Sequence, residues 1–493
     1  MLWIQKPHLN PAGTAVISQG IVYSYEHLQA AAENLALTLL HGHTDLHEAP
    51  VAYLIAPGFD YVRAQWGIWL AGGIAVPLCT THPLPAIQYT LEDTGCKKMI
   101  VGPDFRDFVQ PLVDEMGIEL LLIDEVEPTP LSGLLPSIDI TRRAMILYTS
   151  GTTSKPKGVV TTHLNISFQI ECLVKAWQWS SADHTLCILP LHHVHGIINV
   201  VSCALWSGAV VEFLPSFSAE EVMKRLTQGS INVFMAVPTI YYKLITYLDS
   251  LNAENKQAVY QQLNTFRLMV SGSAALPVSV MQKWEELSGQ RLLERYGMTE
   301  IGMGISNPYR GERRAGTVGQ PLPGVKVRLV DEQNKVVSPG TPGEIQVKGA
   351  NVFKEYWQRP ETTREAFTPD GYFKTGDVAV IEDGYYRILG RESQDIIKSG
   401  GYKISALEIE EVLRTHAMIK DVSVVGLPDE EWGEVVAAAL VLQGSEIPLD
   451  QIQSWLRHQL PAYKAPRKYL IVSELPCNAM GKVIKGDLKK LFS

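Results

Sequence analysis

The sequence has cysteines but no cysteine pattern. Cys79, Cys96, Cys172, Cys187, Cys203 and Cys477 include no C-x-x-C pair. That speaks against a zinc site or a redox dithiol. Most of the six sit in apolar runs, which predicts buried free thiols in a reducing compartment. No apolar run approaches the ~18 to 20 residues needed to cross a bilayer, so no membrane span is expected. Charge of one sign is scarce too. Forty-three Lys and Arg against 52 Asp and Glu leave a net charge of −9 over 493 residues. So mild a balance argues against a nucleic-acid surface, and anionic ligands must be met by local lysines, arginines and backbone dipoles. Internal repeats and low-complexity tracts are also missing. The first residues, Met1-Leu-Trp-Ile-Gln-Lys-Pro7, lack the apolar core of a secretion signal and the Arg/Ser richness of an organellar presequence. They predict a cytoplasmic protein.

What is present fits a large soluble enzyme. A chain of 493 residues exceeds what one core serves, and 46% hydrophobic with 19% charged residues is an ordinary globular composition. Residues 24–40 read as an amphipathic helix, with Ser24 as cap and Leu28, Ala31, Leu35 and Leu39 on one face. Apolar strand candidates then alternate with helical stretches: Val51–Ile55, Ile74–Leu78, Met99–Val101, Leu120–Ile123, Val210–Leu214, Ile231–Ala236, Phe266–Val270 and Arg291–Tyr296. Such alternation predicts layered α/β architecture. From about residue 310 the strands crowd together (Gly324–Val330, Gly343–Val347). A compact unit follows Arg391, with helices near Leu407–Leu413 and Leu449–Leu460 and strands at Val422–Val425, Val435–Leu442 and Tyr469–Val472.

The densest chemical signal is Tyr148-Thr-Ser-Gly-Thr-Thr-Ser-Lys-Pro-Lys-Gly158, entered from the apolar run Ala144–Leu147. Small residues let backbone N–H groups approach an anion, the hydroxyls of Thr149, Ser150, Thr152 and Thr153 add donors, and lysines supply opposing charge. It is not a Walker A loop, whose G-x-x-x-x-G-K-[ST] spacing is absent. Taken alone, a flexible surface loop is the lesser reading.

Further segments follow in order: Leu189-Pro-Leu-His-His-Val-His-Gly196, Ser271-Gly-Ser-Ala-Ala-Leu-Pro277, Glu294-Arg-Tyr-Gly-Met-Thr-Glu300, Tyr372-Phe-Lys-Thr-Gly-Asp377, Gly390–Gly401 and Asn478-Ala-Met-Gly-Lys482. Together with the loop they resemble the adenylate-forming enzymes, the superfamily of acyl-CoA synthetases, amino-acid adenylation domains and beetle luciferases. The segment Ile231–Ile240 and the run through Glu300 resemble the malonyl-CoA synthetase subgroup, especially the acyl-CoA synthetase family member 3 type, which is mitochondrial in animals.

The resemblance implies an α/β fold, with a large N-terminal region of layered sheets and helices over residues 1–392 and a small mobile α+β C-terminal domain over 393–493. It implies ATP, Mg²⁺ and coenzyme A as cofactors. Thr149, Ser150, Gly151, Thr152, Thr153 and Lys157 would cradle the β- and γ-phosphates. Many relatives have Gly where Ser154 stands, so altered loop mobility is expected. Ser273, Ala274 and Ala275 would wall the adenine, Tyr296 would stack on it with Gly297 beside it, and Thr299 would bond the α-phosphate. Glu300 would hold Mg²⁺, a hard oxygen ligand for a hard ion. Asp377 would accept from the ribose hydroxyls, with Arg391 as second contact. Lys482 would sit between the substrate carboxylate and the α-phosphate during adenylation. Gly400, Gly401 and Tyr402, with Lys403, would line the thiol tunnel.

For the acyl substrate the matching positions are Arg295, Val194, His195, Ile198 and Met303, with Gly304 a further candidate and His193 at the gate. A buried arginine is costly unless it meets an anion, and its fork matches a carboxylate; pairing with Glu294 is the other reading. With an anion there, the substrate is a short dicarboxylate, malonate first and methylmalonate second, or else another short or medium-chain acid. The hinge departs from the family pattern, because Arg391 and Asp395 stand one residue further apart than usual, leaving Ser393 or Gln394 as pivot. The partners implied are the carboxylate, ATP and CoA; a stand-alone adenylating enzyme loading an acyl-carrier protein is the alternative, and oligomeric state is left open.

Overall fold

The computed structural model describes residues 2–5, 10–126, 133–149, 155–214, 216–444, 449–477 and 483–492. Four sheets carry the expected layered α/β architecture. The largest has nine strands and a parallel centre, in which Leu293–Met298, Leu268–Ser271, Val233–Ala236, His184–Cys187, Val210–Phe213 and Thr14–Ser18 lie side by side in that order. Antiparallel strands finish its edges: Gly302–Ser306 and Gln320–Pro321 on one side, Ile21–Ser24 on the other.

A seven-stranded sheet runs Glu355–Tyr356, Lys157–Thr162, Arg143–Thr149, Ile74–Pro77, Pro50–Leu54, Lys98–Val101, Glu119–Leu122. It is parallel from Arg143–Thr149 onward. Its central strands are apolar throughout because helices cover both faces, the usual state of parallel sheets. The helix Tyr25–Leu40 starts at Ser24, whose side chain accepts from the His27 N–H, as the sequence predicts. Its buried stripe includes Ala32, while Ala31 is half-buried, so the face is rotated by one residue from the expected one.

Four antiparallel strands make the third sheet: Lys326–Val330, Gly343–Lys348, Phe373–Glu382 and Tyr385–Arg391. The fourth holds Tyr402–Ser405, Ile396–Ser399, Gly433–Leu442, Ile419–Asp429 and Lys468–Ile471, covered by the helices Ala406–Arg414 and Leu449–Gln459. Among the described residues no helix is long and apolar enough to cross a membrane.

Two parallel strands of the large sheet, Thr14–Ser18 and His184–Cys187, are absent from the strand candidates of the hydrophobic pattern, and the second lies at the sheet's centre. Its His184 and Thr185 are polar but buried, because Val210–Phe213 and Val233–Ala236 flank it on both sides. What aligns it is charge. Asp183, just before the strand and 2% exposed, receives both Nε and Nη2 of Arg267, at 2.5 and 2.6 Å. Asn232 donates to the same carboxylate at 3.2 Å, and the Ser180 N–H does so at 2.7 Å. The network thus ties together the starts of three neighbouring parallel strands. Their far ends run into the segments Leu189–Gly196, Val237–Ile240 and Ser271–Pro277, and carboxyl ends of parallel strands are where such sheets bind ligands.

Arg267→Met should therefore leave a buried carboxylate without its cation, at a cost of about 3–5 kcal/mol. Urea unfolding checks this; a loss below about 1 kcal/mol would show that the network is dispensable.

Candidate active site

The phosphate-like loop closes an antiparallel hairpin, with Thr149 opposite Lys157. Ser150, Gly151, Thr152, Thr153 and Ser154 lie outside the described residues. Lys157 opens the returning strand, and its Nζ stands 5.3 Å from the Tyr356 ring centroid. The Tyr356 hydroxyl in turn donates to Glu300 Oε1 at 3.0 Å. Glu300 is 6% exposed, and burial raises its pKa above the ordinary carboxylate value. A carboxylate so placed is short of compensating charge, and a cation beside it would restore its ionised form. Tyr356 escaped the sequence reading, since it sits on a two-residue strand whose pairing with Val159 alone brings it here.

Beside this group stand Tyr296, Asp377 and Arg391. The Tyr296 hydroxyl donates to Asp377 Oδ2 at 2.7 Å, and Arg391 Nε donates to Asp377 Oδ1 at 2.8 Å. Tyr296 belongs to the edge of the nine-stranded sheet, whereas Asp377 and Arg391 face each other across the third sheet. Thr299 occupies the turn between Leu293–Met298 and Gly302–Ser306, half-buried. Ser273, Ala274 and Ala275 are exposed at the end of Leu268–Ser271, and Ser273 holds φ +72°. A non-glycine residue there is strained, which is common where geometry serves a site.

The side chains around Arg295 are almost dry. Arg295 is 3% exposed. It reaches only the Ser273 hydroxyl, from Nη2 at 3.4 Å, and Nε has no partner among the described residues. Burial pulls its pKa down to about 9. Pairing with Glu294 does not occur: successive strand residues face opposite ways, and Glu294 Oε1 accepts instead from the Leu276 N–H at 2.9 Å. His195 Nδ1 meets the same Ser273 hydroxyl at 3.1 Å, and burial first, Arg295 second, push its pKa well below the usual value. His193 is pushed down to about 3 by burial and lies 4.0 Å from the His192 ring. Both histidines are thus neutral, and Arg295 is the lone cation among the proposed acyl residues. Val194 and Ile198 line a narrow cavity that also touches Thr299, and Met303 is fully enclosed at 1% exposure.

The segment after Arg391 is held by a second carboxylate. Asp395 Oδ2 accepts from the Arg391 N–H at 2.9 Å, and Asp395 Oδ1 pairs with Lys485 Nζ at 2.6 Å. Lys485 also meets Glu410 at 3.2 Å. Lys482 lies outside the described residues. Gly400 and Gly401, at φ +56° and +82°, form a two-residue hairpin turn between Ser399 and Tyr402, a shape that needs left-handed backbone twice. Tyr402 is 55% exposed, stacked on Tyr463 with centroids 4.6 Å apart, and Lys403 pairs with Glu332 at 2.8 Å.

Burial drives Glu294 the other way from Arg295, up to about 8. The folded protein therefore keeps this proton while the unfolded chain releases it above about pH 4.5. Stability contributed by the protonated form is full below that pH and is lost as pH rises toward 8, with a slope of up to about 1.4 kcal/mol per unit. Glu294→Gln should flatten that slope in denaturant titrations from pH 5 to 8; an unchanged slope would mean that Glu294 is ionised throughout.

Comparison with known proteins agrees with this arrangement. A family model described as AMP-binding enzyme matches residues 5–357, and one described as AMP-binding enzyme C-terminal domain matches residues 408–482. A mitochondrial malonate–CoA ligase of Bos taurus is 45% identical, over 90% of this chain and 81% of its own length. A malonate–CoA ligase of Arabidopsis thaliana is 39% identical, over 97% and 86%. Among solved structures, ATP-bound MatB from Rhodopseudomonas palustris superposes with a TM-score of 0.91 at 31% identity, covering 100% of this chain and 99% of that one. A malonyl-CoA ligase product complex with methylmalonyl-CoA and AMP gives 0.70 at 34% identity, over 96% and 98%. The chain belongs to the AMP-binding, adenylate-forming enzyme family.

Proposed function

We propose that this chain is a malonate-type acyl-CoA ligase, which activates a short dicarboxylate with ATP and passes the acyl group to coenzyme A. The observation that carries the reading is the buried Arg295 guanidinium with no carboxylate partner among the described residues. A fatty acid would leave that charge dry and unpaired, whereas the distal carboxylate of malonate offers it a bidentate acceptor. The malonate–CoA ligases among its relatives support the same substrate class.

In the first step the substrate carboxylate attacks the α-phosphorus of ATP and pyrophosphate leaves; in the second a thiol displaces AMP. Negative charge gathers on phosphoryl oxygens in both, so fixed donors and cations lower the barrier. Thr149 through Lys157 hold the β- and γ-phosphates in this reading, Thr299 holds the α-phosphate, and Asp377 with Arg391 holds the ribose. Tyr296 and the exposed wall Ser273–Ala275 receive the adenine. Glu300, with its raised pKa, is suited to a magnesium ion, which when bound supplies positive charge to the phosphates.

The division at residue 392 belongs to this proposal. Asp395 is pinned by Arg391 and Lys485, which favours Ser393 or Gln394 as the pivot. The six free thiols suit a reducing compartment, and the proposed address is the cytoplasm. Cell fractionation of the tagged protein tests that address; recovery in mitochondria, the address in the name of the Bos taurus relative, would overturn it.

Two substitutions test the chemistry. Arg295→Leu should lower kcat/KM for malonate by roughly thirty- to a thousand-fold, the loss of about 2–4 kcal/mol expected for a charge-assisted bond. Butyrate should lose little; an equal fall for malonate, methylmalonate and butyrate would make Arg295 a structural residue. Lys482→Ala should cut adenylate formation by several orders of magnitude while sparing thioester formation from synthetic acyl-adenylate and CoA. Equal loss in both half-reactions would refute the role given to Lys482. Turnover with a carrier protein but not with CoA would reassign the acceptor.

A further inference from the structure

The π-helical segment His195–Ser202 has two different neighbours. On one side His195 meets Ser273, which Arg295 also contacts. On another, Val194, Ile198 and Asn199 line the narrow cavity that continues to Thr299. That cavity is walled by side chains whose polar atoms are buried and unmatched. Asn199 is 1% exposed, and neither its amide nitrogen nor its amide oxygen has a partner among the described residues. Gln169, 4% exposed, spends Oε1 on the Met303 N–H at 2.6 Å and leaves Nε2 unmatched. Asn351 donates to the Ile301 carbonyl at 2.6 Å and leaves Oδ1 unmatched, and the Thr161 hydroxyl is unmatched as well.

Buried polar atoms are satisfied in nearly every native protein, and orphans that converge on one cavity mark a place for a hydrogen-bonding occupant. Here two amide nitrogens, two amide oxygens and a hydroxyl without partners belong to residues that line one cavity together with Val194 and Ile198, already proposed for the acyl pocket. Gly302 keeps the arrangement possible: it stands at φ +55°, and a Cβ on it would collide with the Gln169 side-chain oxygen.

We propose that Asn199, with Gln169, Thr161 and Asn351, forms a hydrated polar wall that sets which acyl groups the enzyme accepts. The inference deepens the acyl-ligase reading and rests on it. Water bound to the amides completes the wall beside a compact acid. An aliphatic chain entering past Val194 and Ile198 would expel that water and strand the amides without partners, so chains of four or more carbons are refused on polarity, independently of Arg295. Asn199 has two unmatched side-chain atoms among the described residues, more than any other of the four, and it is the best handle.

The test compares Asn199→Ala, Asn199→Ser and Asn199→Leu in the full-length enzyme, with kcat/KM measured for butyrate and valerate relative to the short acid that the wild type uses best. Ala and Ser open similar space, but only Ser keeps a polar group. The expected result is a rise in the valerate ratio of about tenfold or more for Ala and a smaller rise for Leu, with Ser within about threefold of wild type. Equal shifts for Ala and Ser would make the wall a matter of volume and overturn the proposal. So would an unchanged ratio in Ala and Leu accompanied by a higher Tm in Leu, the behaviour of a dry packing defect. Because every ratio is taken against the preferred short acid, rejection of malonate as substrate leaves this test intact.

Discussion

Two carboxylates join parts of this molecule that are otherwise built separately. Asp377 binds the Tyr296 hydroxyl with one oxygen and the Arg391 side chain with the other, which fixes the edge of the nine-stranded sheet against the third sheet. Arg391 then offers its N–H to Asp395, whose second oxygen takes Lys485 from near the end of the chain. Each contact is short, charge-assisted and partly shielded from water, the conditions under which such bonds are strongest. The positions proposed for nucleotide binding and the segment after Arg391 therefore share one run of polar contacts. A change in the charge that Asp377 faces alters the environment of Arg391, and Arg391 is one bond from the segment proposed as the hinge. Coupling between ligand state and domain pose needs no longer pathway than this.

The acyl region is organised by the opposite circumstance, polar groups denied partners. A guanidinium buried with one long hydrogen bond destabilises the free protein, and so does an amide with none. Such groups persist where a ligand or bound water supplies what the fold withholds. Neutral His193 and His195 sharpen the effect, because they leave Arg295 as the only positive charge among these side chains. A short anionic acid gains from that field, and a neutral chain of equal length does not.

Much of the fold was legible because its strands are buried on both faces and read as apolar runs. Every strand candidate between Val51 and Tyr296 lies within two residues of an observed strand. His184–Cys187 was not legible, since its polar residues are buried by neighbours that no local pattern reveals. Site residues inside compact motifs, Lys157, Tyr296, Glu300, Asp377 and Arg391, were named in advance and are brought together. Tyr356 and Lys485 were not: Tyr356 comes from a two-residue strand with no motif of its own, and Lys485, which pairs with Asp395, lies just past the Asn478–Lys482 segment. Asn199 did carry a signal: an amide inside Gly196-Ile-Ile-Asn-Val-Val201 interrupts an otherwise apolar run, and a polar residue in such a run asks where its partners are.

The geometry also separates affinity from selectivity in a way a motif cannot. In the proposed reading Arg295 offers a favourable contact to acids with a second carboxylate, while the amide cavity penalises acids with an aliphatic tail. Discrimination is strongest when attraction for the right ligand and repulsion of the wrong one act together. Here the two lie on different sides of one short helix, with His195 turned to Ser273 and the arginine, and Asn199 to the cavity. The wide π-helical turn makes that division possible: hydrogen bonds between residues five apart rather than four change which side chains share a face, and such turns recur at functional sites. Substitutions on one side of the helix can then alter preference for charge without altering tolerance of length. A single apolar pocket, where size and polarity are read by the same atoms, could not vary the two independently.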